Sequence, residues 1–62
     1  LDTALALTSI TSQKVSIKNA LGVCYARLGR MKRARAEFYG ALELDPLNKE
    51  TQRNIEFLDP AP

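Results

Sequence analysis

Histidine is missing from this 62-residue sequence, and Cys24 is its single cysteine. A disulfide within the chain and the usual cysteine and histidine zinc sites are therefore excluded, although small domains often depend on one or the other. No serine or cysteine has a general base beside it in the sequence, and no glycine-rich phosphate loop or metal-ligand cluster is present. We therefore expect neither enzymatic activity nor a bound cofactor or metal.

Long apolar runs and a strong charge of one sign are also lacking. No segment approaches the ~20 apolar residues of a transmembrane helix, and the formal net charge is only +2. We expect no membrane insertion and no nucleic-acid partner from these features.

Because the sequence begins at Leu1 without a signal-peptide pattern, we expect an internal piece of a longer protein. A chain this short is marginally stable by itself, so a neighbour, a partner or a second copy is expected to support it.

Apolar residues recur at helical spacing within residues 15–28. Their separations of four, three and four residues predict one buried helix face, with the cysteine as a core residue. The series is Ile17, Leu21, Cys24 and Leu28. Gly29 follows directly and predicts a left-handed residue that ends this helix.

Two further helices are predicted downstream. The second covers residues 30–45, where an amphipathic stripe ends at Asp45-Pro46 because proline cannot continue a helix. The third covers residues 49–59, with Asn48 as its N-cap and Asp59-Pro60 as its end. Residues 60–62 are expected to be a frayed end. The stripe of the second helix consists of Ala34, Phe38, Ala41, Leu42 and Leu44.

Residues 1–14 are predicted to be the tail of a preceding helix followed by a turn. The turn is placed on the polar stretch Thr8 to Gln13. Residues 4–7 match residues 41–44 in their apolar positions, at an offset of about 37 residues, and internal similarity at that period is typical of solenoid proteins.

The segment of residues 15–48 resembles a tetratricopeptide repeat in the identity and spacing of several residues. The pattern of that repeat is W-x₂-L-G-x₂-Y, then A-x₃-F, then P. The matching residues are Leu21, Gly22, Tyr25, Gly29, Ala34, Phe38, Ala41 and Pro46. Lys18 departs from the pattern, because the family most often has a bulky aromatic residue at that position. The resemblance implies an all-α fold, in which an antiparallel helix-turn-helix repeat forms part of an α-solenoid.

Two structural expectations accompany this resemblance. Gly22 and Ala34, the smallest residues on the predicted inward faces, are expected to meet where the first two helices pack closely. The third helix is expected to be a C-terminal cap, because terminal repeats of solenoids need a polar outer face. That face would consist of Gln52, Arg53, Glu56 and Asp59.

The resemblance also implies a concave groove lined by the first helix of each pair. Candidate partner-binding residues in the first helix are Ser16, Asn19, Val23, Ala26 and Arg27, and those in the third helix are Glu50, Arg53 and Phe57. The side chains of Asn19 and Arg27 are expected to donate hydrogen bonds to a bound peptide. The alternative is that these residues are simply solvated and that the binding surface lies in other repeats.

A basic run without an intervening acid joins the first two helices. It consists of Arg27, Arg30, Lys32, Arg33 and Arg35. Arg27 is favourable at a helix C-terminus, and Arg33 is expected to pair with Glu37 one turn further on. A phosphate-rich partner is the alternative use of this run.

The function we expect is a protein–protein interaction module that presents a groove to a partner peptide or helix. The alternative is a structural or self-association element of a larger assembly.

Overall fold

The computed structural model describes residues 3–58, with side chains from residue 9 onward. It contains three α-helices, α1 at Thr3–Arg27, α2 at Met31–Leu44 and α3 at Lys49–Leu58, and residues 3–58 include no β-strand. The predicted all-α class is confirmed. α1 and α2 pack against each other, and α3 packs against both. The predicted stop at Asp59-Pro60 and the frayed end at residues 60–62 lie outside the described residues.

α1 is longer than predicted, because residues 3–14 belong to it. The helix continues through the Thr8 to Gln13 stretch, so the predicted turn there was wrong. This stretch contains neither glycine nor proline, and polar side chains without such a breaker do not interrupt the backbone hydrogen bonds of a helix. Residues 4–7 therefore lie near the start of α1, whereas residues 41–44 end α2. The offset of about 37 residues does not join equivalent positions in the two helices.

The connection between α1 and α2 is a Schellman motif at Gly29. The Gly29 N–H donates to the carbonyl oxygen of Ala26 at 3.0 Å, and the Arg30 N–H donates to that of Tyr25 at 2.8 Å. Gly29 has a φ of 79°, the left-handed conformation that this motif requires. The predicted role of Gly29 is confirmed, and α2 begins one residue later than predicted.

The connection between α2 and α3 is fixed by side chains of the turn and of the third helix. α2 ends at Leu44, directly before Asp45-Pro46. The Thr51 N–H donates to Asn48 Oδ1 at 2.8 Å, which confirms Asn48 as the N-cap of α3. Gln52 Nε2 donates to the carbonyl oxygen of Pro46 at 2.8 Å and so ties the turn to the first turns of α3.

The apolar core is small and is centred on Phe38, which α2 directs at α1. Val15, Ala34 and Ala41 are buried with it. A Cβ atom added at Gly22 would overlap the Phe38 ring, so the ring occupies the space that a side chain would need. Ala34 is fully buried as expected, but the nearest neighbour of the Gly22 position is Phe38 rather than Ala34.

The apolar series of α1 faces away from this core. We define the α1 stripe as Ile10, Ile17, Leu21 and Cys24 of α1 together with Leu28, which directly follows the helix. The exposed fraction is 59% for Ile17, 41% for Leu21 and 70% for Leu28, and Cys24 is exposed as well. The prediction that this series forms the buried face, with Cys24 in the core, was therefore wrong.

The buried face of α1 carries smaller and more polar residues than the α1 stripe. It includes Val15, Asn19 and Gly22, whose separations of four and three residues have the same helical period. Two parallel stripes thus share one helix. The larger apolar side chains lie on the outer stripe, because α2 brings its own large ring, Phe38, to the inner one.

Lys18 covers the backbone of α2 at Gly40. A Cβ atom at Gly40 would lie 3.4 Å from Lys18 Cδ, and Lys18 Nζ lies 3.9 Å from Glu37 Oε1. Arg33, which we expected to pair with Glu37, instead places its guanidinium carbon 5.9 Å from the centroid of the Tyr25 ring. The aliphatic stem of a lysine thus fills a place where the resemblance leads us to expect an aromatic residue.

Among the described residues, no helix has the length and apolar character needed to cross a membrane.

Candidate partner-binding groove

Asn19 connects α1 to α3 from a buried position, with only 3% of its surface exposed. Its Nδ2 donates to Thr51 Oγ1 at 2.9 Å and to Glu50 Oε1 at 3.3 Å. Its Oδ1 accepts a hydrogen bond from Asn54 Nδ2 at 3.3 Å. Both amide hydrogens have acceptors within the protein, so neither is free for the expected donation to a bound peptide. Asn19 instead holds α3 in place beside α1.

Thr51 extends this network to the start of α3. The residue is completely buried, and its Oγ1 donates to Asn48 Oδ1 at 3.1 Å while accepting from Asn19. The N-cap of α3 is thereby linked to α1 through a single hydroxyl group. Among the described residues, no buried side-chain nitrogen or oxygen lacks a hydrogen-bond partner. A satisfied polar network of this kind fixes the orientation of the helices that it joins.

A groove runs between α1 and α3, directly above this network. One depression, of about 520 Å³, has walls from both helices. A second depression, of about 400 Å³, shares Val23, Arg27 and Asn54 with the first, so the two form one continuous surface. The first is lined by Ser16, Asn19, Ala20, Val23, Cys24, Arg27, Glu50 and Asn54, and the second adds Ala26, Met31, Phe38 and Phe57.

The two ends of the groove differ in polarity. Ser16 and Glu50 give one end a polar lining, whereas Met31 and Phe57 make the other end apolar, and Asn54 lines both. Phe57 is 84% exposed. Arg27 borders both depressions. The groove can therefore hold an apolar group against Phe57 while the Arg27 guanidinium donates to an acceptor beside it.

Most of the predicted groove residues line this surface. Asn19 lies at its floor and is committed to α3, and Arg53 is exposed but is not among the residues that line either depression. Arg53 is two positions after the buried Thr51, a rotation of about 200° around the helix, which turns it away from α1. Besides Asn19, the predicted residues found in the lining are Ser16, Val23, Ala26, Arg27, Glu50 and Phe57.

Sequence reasoning missed five residues of the groove, namely Ala20, Cys24, Met31, Phe38 and Asn54, of which Cys24 and Phe38 had been assigned to buried helix faces. A signal for Asn54 was present, because it follows Glu50 by four residues and precedes Phe57 by three, and such residues share one helix face. Met31 had no comparable signal. It begins α2, and the Gly29 connection brings it to the apolar end of the groove.

The basic run does not converge on one site. Arg27 borders the groove, whereas Arg33 lies against Tyr25. Arg30 and Lys32 are exposed, and Arg35 interacts within the protein. Among residues 3–58, no group of three or more acidic or cysteine side chains is placed to hold a metal ion.

Another depression, of about 550 Å³, lies on the outer side of α2. Its lining comes only from that helix and the turn that follows, and it consists of Ala36, Tyr39, Gly40, Leu42, Glu43 and Pro46. No second helix of residues 3–58 contributes to its lining, whereas all three helices contribute to the lining of the groove.

Comparison with known proteins gave no match to a family model, to a curated protein or to a solved structure.

Proposed function

We propose that this chain is a protein-interaction module whose groove between α1 and α3 binds a short peptide or helix of another protein. The observation that carries the proposal is the position of Phe57. Its ring is 84% exposed beside Val23 and Met31, in a concave surface built from all three helices. Large aromatic side chains in such positions are the residues that most often dominate binding to a partner.

We also propose that residues 15–48 are a tetratricopeptide repeat. Three features of the structure support this assignment. Gly29 separates the two packed helices, Phe38 lies against Gly22, and α2 stops at Asp45-Pro46. In such a repeat, α3 occupies the place of the next helix in a solenoid, and its exposed Gln52, Arg53 and Glu56 form the outer face of a cap.

The lining of the groove defines the chemistry of its partner. An apolar side chain fills the space beside Phe57 and Met31, and a carboxylate or carbonyl oxygen accepts hydrogen bonds from Arg27. Asn54 Oδ1 accepts no hydrogen bond within residues 3–58, so it is able to accept one from a peptide N–H group. The partner segment is therefore amphipathic, with an apolar residue next to a hydrogen-bond acceptor.

Selection from a random peptide library tests this proposal. Peptides of about 12 residues, displayed on phage, are selected on the immobilised chain, and the binding of the best one is then measured by fluorescence anisotropy. We expect Phe57→Ala to weaken binding about tenfold or more, because it removes the apolar wall. Leu47→Ala is the matched control, since Leu47 is 83% exposed but does not line the groove.

Equal loss of affinity in Phe57→Ala and Leu47→Ala, or no loss in either, would contradict binding in the groove. Circular dichroism of both variants shows whether the helices remain folded. Arg27→Gln provides a second measurement. It retains a polar side chain but removes the charge, and we expect it to weaken peptides that carry an acidic residue more than neutral ones.

A further inference from the structure

The α1 stripe leaves a long apolar surface without a partner in the described part of the chain. It lies on the side of α1 opposite the buried Asn19, and its members extend from Ile10, which is 48% exposed, to Leu28. These two residues are 18 positions apart, which corresponds to about 27 Å along a helix. The groove uses a neighbouring face of α1, and the two surfaces share only Cys24. The stripe is therefore a separate surface.

The spacing within the α1 stripe is that of a seam between two helices. Its separations are seven, four, three and four residues, and Lys14 divides the first of them into four and three. Alternating separations of four and three residues allow a second helix to pack along the whole seam. The shape of this surface thus fits a helix better than it fits an extended peptide.

All charges on α1 have the same sign. The helix contains Lys14, Lys18 and Arg27 and no acidic residue. Lys18 is close to Glu37 of α2, but Lys14 is exposed and makes no hydrogen bond or ion pair within residues 3–58. A basic residue at the edge of an apolar seam favours a partner that places a carboxylate opposite it.

We propose that the α1 stripe is a second docking surface, and that its occupant is an amphipathic helix of another protein with an apolar seam and acidic flanks. A second copy of this chain fits the stripe less well. Pairing two α1 helices would bring only positive charges to the edges of the seam, with no acidic residue on either helix to oppose them. Lys14 sets the preference for an acidic partner.

A matched pair of synthetic peptides tests this proposal. Both are helical peptides of about 21 residues with leucine along the seam, and one has glutamate flanks where the other has lysine. We expect the glutamate peptide to bind the chain at least about tenfold more tightly at low ionic strength, and the difference to shrink as salt is added. Anisotropy of a fluorescent label reports binding, and a reducing agent excludes disulfide formation through Cys24.

Substitutions then locate the site. Leu21→Ser is expected to abolish binding of the glutamate peptide, whereas Leu47→Ser, the same change at an exposed leucine outside the stripe, leaves it unchanged. Lys14→Glu is expected to weaken binding of the glutamate peptide and to improve that of the lysine peptide. Phe57→Ala serves as the groove control and is expected to have no effect.

Three results would overturn the proposal. Equal affinity of the two peptides would show that charge does not select the partner of the α1 stripe. Loss of binding in Phe57→Ala but not in Leu21→Ser would place the peptide in the groove. Sedimentation that shows a dimer of this chain, dissociated by Leu21→Ser, would identify a second copy as the occupant.

Discussion

The ring of Phe38 lies against the backbone of Gly22, in the space that any side chain at that position would occupy. This contact brings α1 and α2 together at the centre of the core. Because Gly22 has no side chain, the Phe38 ring buries its own surface against the backbone of α1. No matching apolar side chain on α1 is needed. The inner face of α1 consequently tolerates Asn19, and its larger apolar residues remain on the α1 stripe.

Two glycine-to-alanine substitutions test this packing. Gly22→Ala is expected to destabilise the chain by about 1–3 kcal/mol, because the added methyl group displaces the Phe38 ring. Gly40→Ala is the control. The atoms nearest to its methyl group would belong to the flexible side chain of Lys18, and replacing glycine inside a helix stabilises by up to about 1 kcal/mol. Urea unfolding followed by circular dichroism measures both. Equal effects in the two variants would argue against the Gly22–Phe38 contact.

The hydrogen-bond network between α1 and α3 is tested by a double-mutant cycle. Thr51→Val keeps the shape of the side chain but removes the hydroxyl group that joins Asn19 to Asn48. We expect Thr51→Val and Asn19→Leu each to cost about 1–3 kcal/mol in the free energy of unfolding, because each leaves buried polar atoms unsatisfied. The double variant should cost less than the sum of the two. Strict additivity would show that the two side chains do not interact.

The connection at Gly29 is tested by residues that differ in their tolerance of a positive φ. Gly29→Ala is expected to destabilise by about 1–2 kcal/mol, since a Cβ atom is unfavourable in the left-handed conformation. Gly29→Asn should cost less, because asparagine adopts this conformation more readily. Thermal unfolding of the two variants provides the comparison. If the Gly29→Ala and Gly29→Asn variants were both as stable as the parent chain, the Schellman motif would be contradicted.

Ala34 provides a test of the core that is independent of glycine. Its side chain is completely buried on α2. Ala34→Leu is expected to destabilise by about 1–3 kcal/mol, because the larger side chain overpacks the space between the helices. Ala36→Leu, at an exposed position of the same helix, is the matched control and should have little effect. An unchanged melting temperature for Ala34→Leu would contradict the packing described above.

The helix boundaries were largely predictable from the sequence, because single residues determine them. Gly29 and Pro46 act through their own backbone, and Asn48 acts through its own side chain, which accepts a hydrogen bond from the Thr51 N–H three residues later. The exception is the start of α1. The polar residues from Thr8 to Gln13 suggested a turn, but a turn needs residues that favour it, and polarity alone does not supply them.

The buried face of α1 was not predictable from its own sequence. Both of its stripes have the helical period, and the outer one has the larger apolar residues. The choice between them depends on distant residues. Phe38 needs the space at Gly22, and Thr51, 32 positions after Asn19, supplies the partner that makes burial of the asparagine favourable. Periodicity carries no information about such long-range pairs.

The groove between α1 and α3 is tested most directly by the amide resonances that change when a library-selected peptide is added. In ¹H–¹⁵N correlation spectra of the labelled chain, we predict that the largest shifts occur at Val23, Arg27, Asn54 and Phe57, and that Leu47 is unaffected. Shifts concentrated on the outer side of α2, at Tyr39 and Glu43, with no change at the groove residues, would contradict the account.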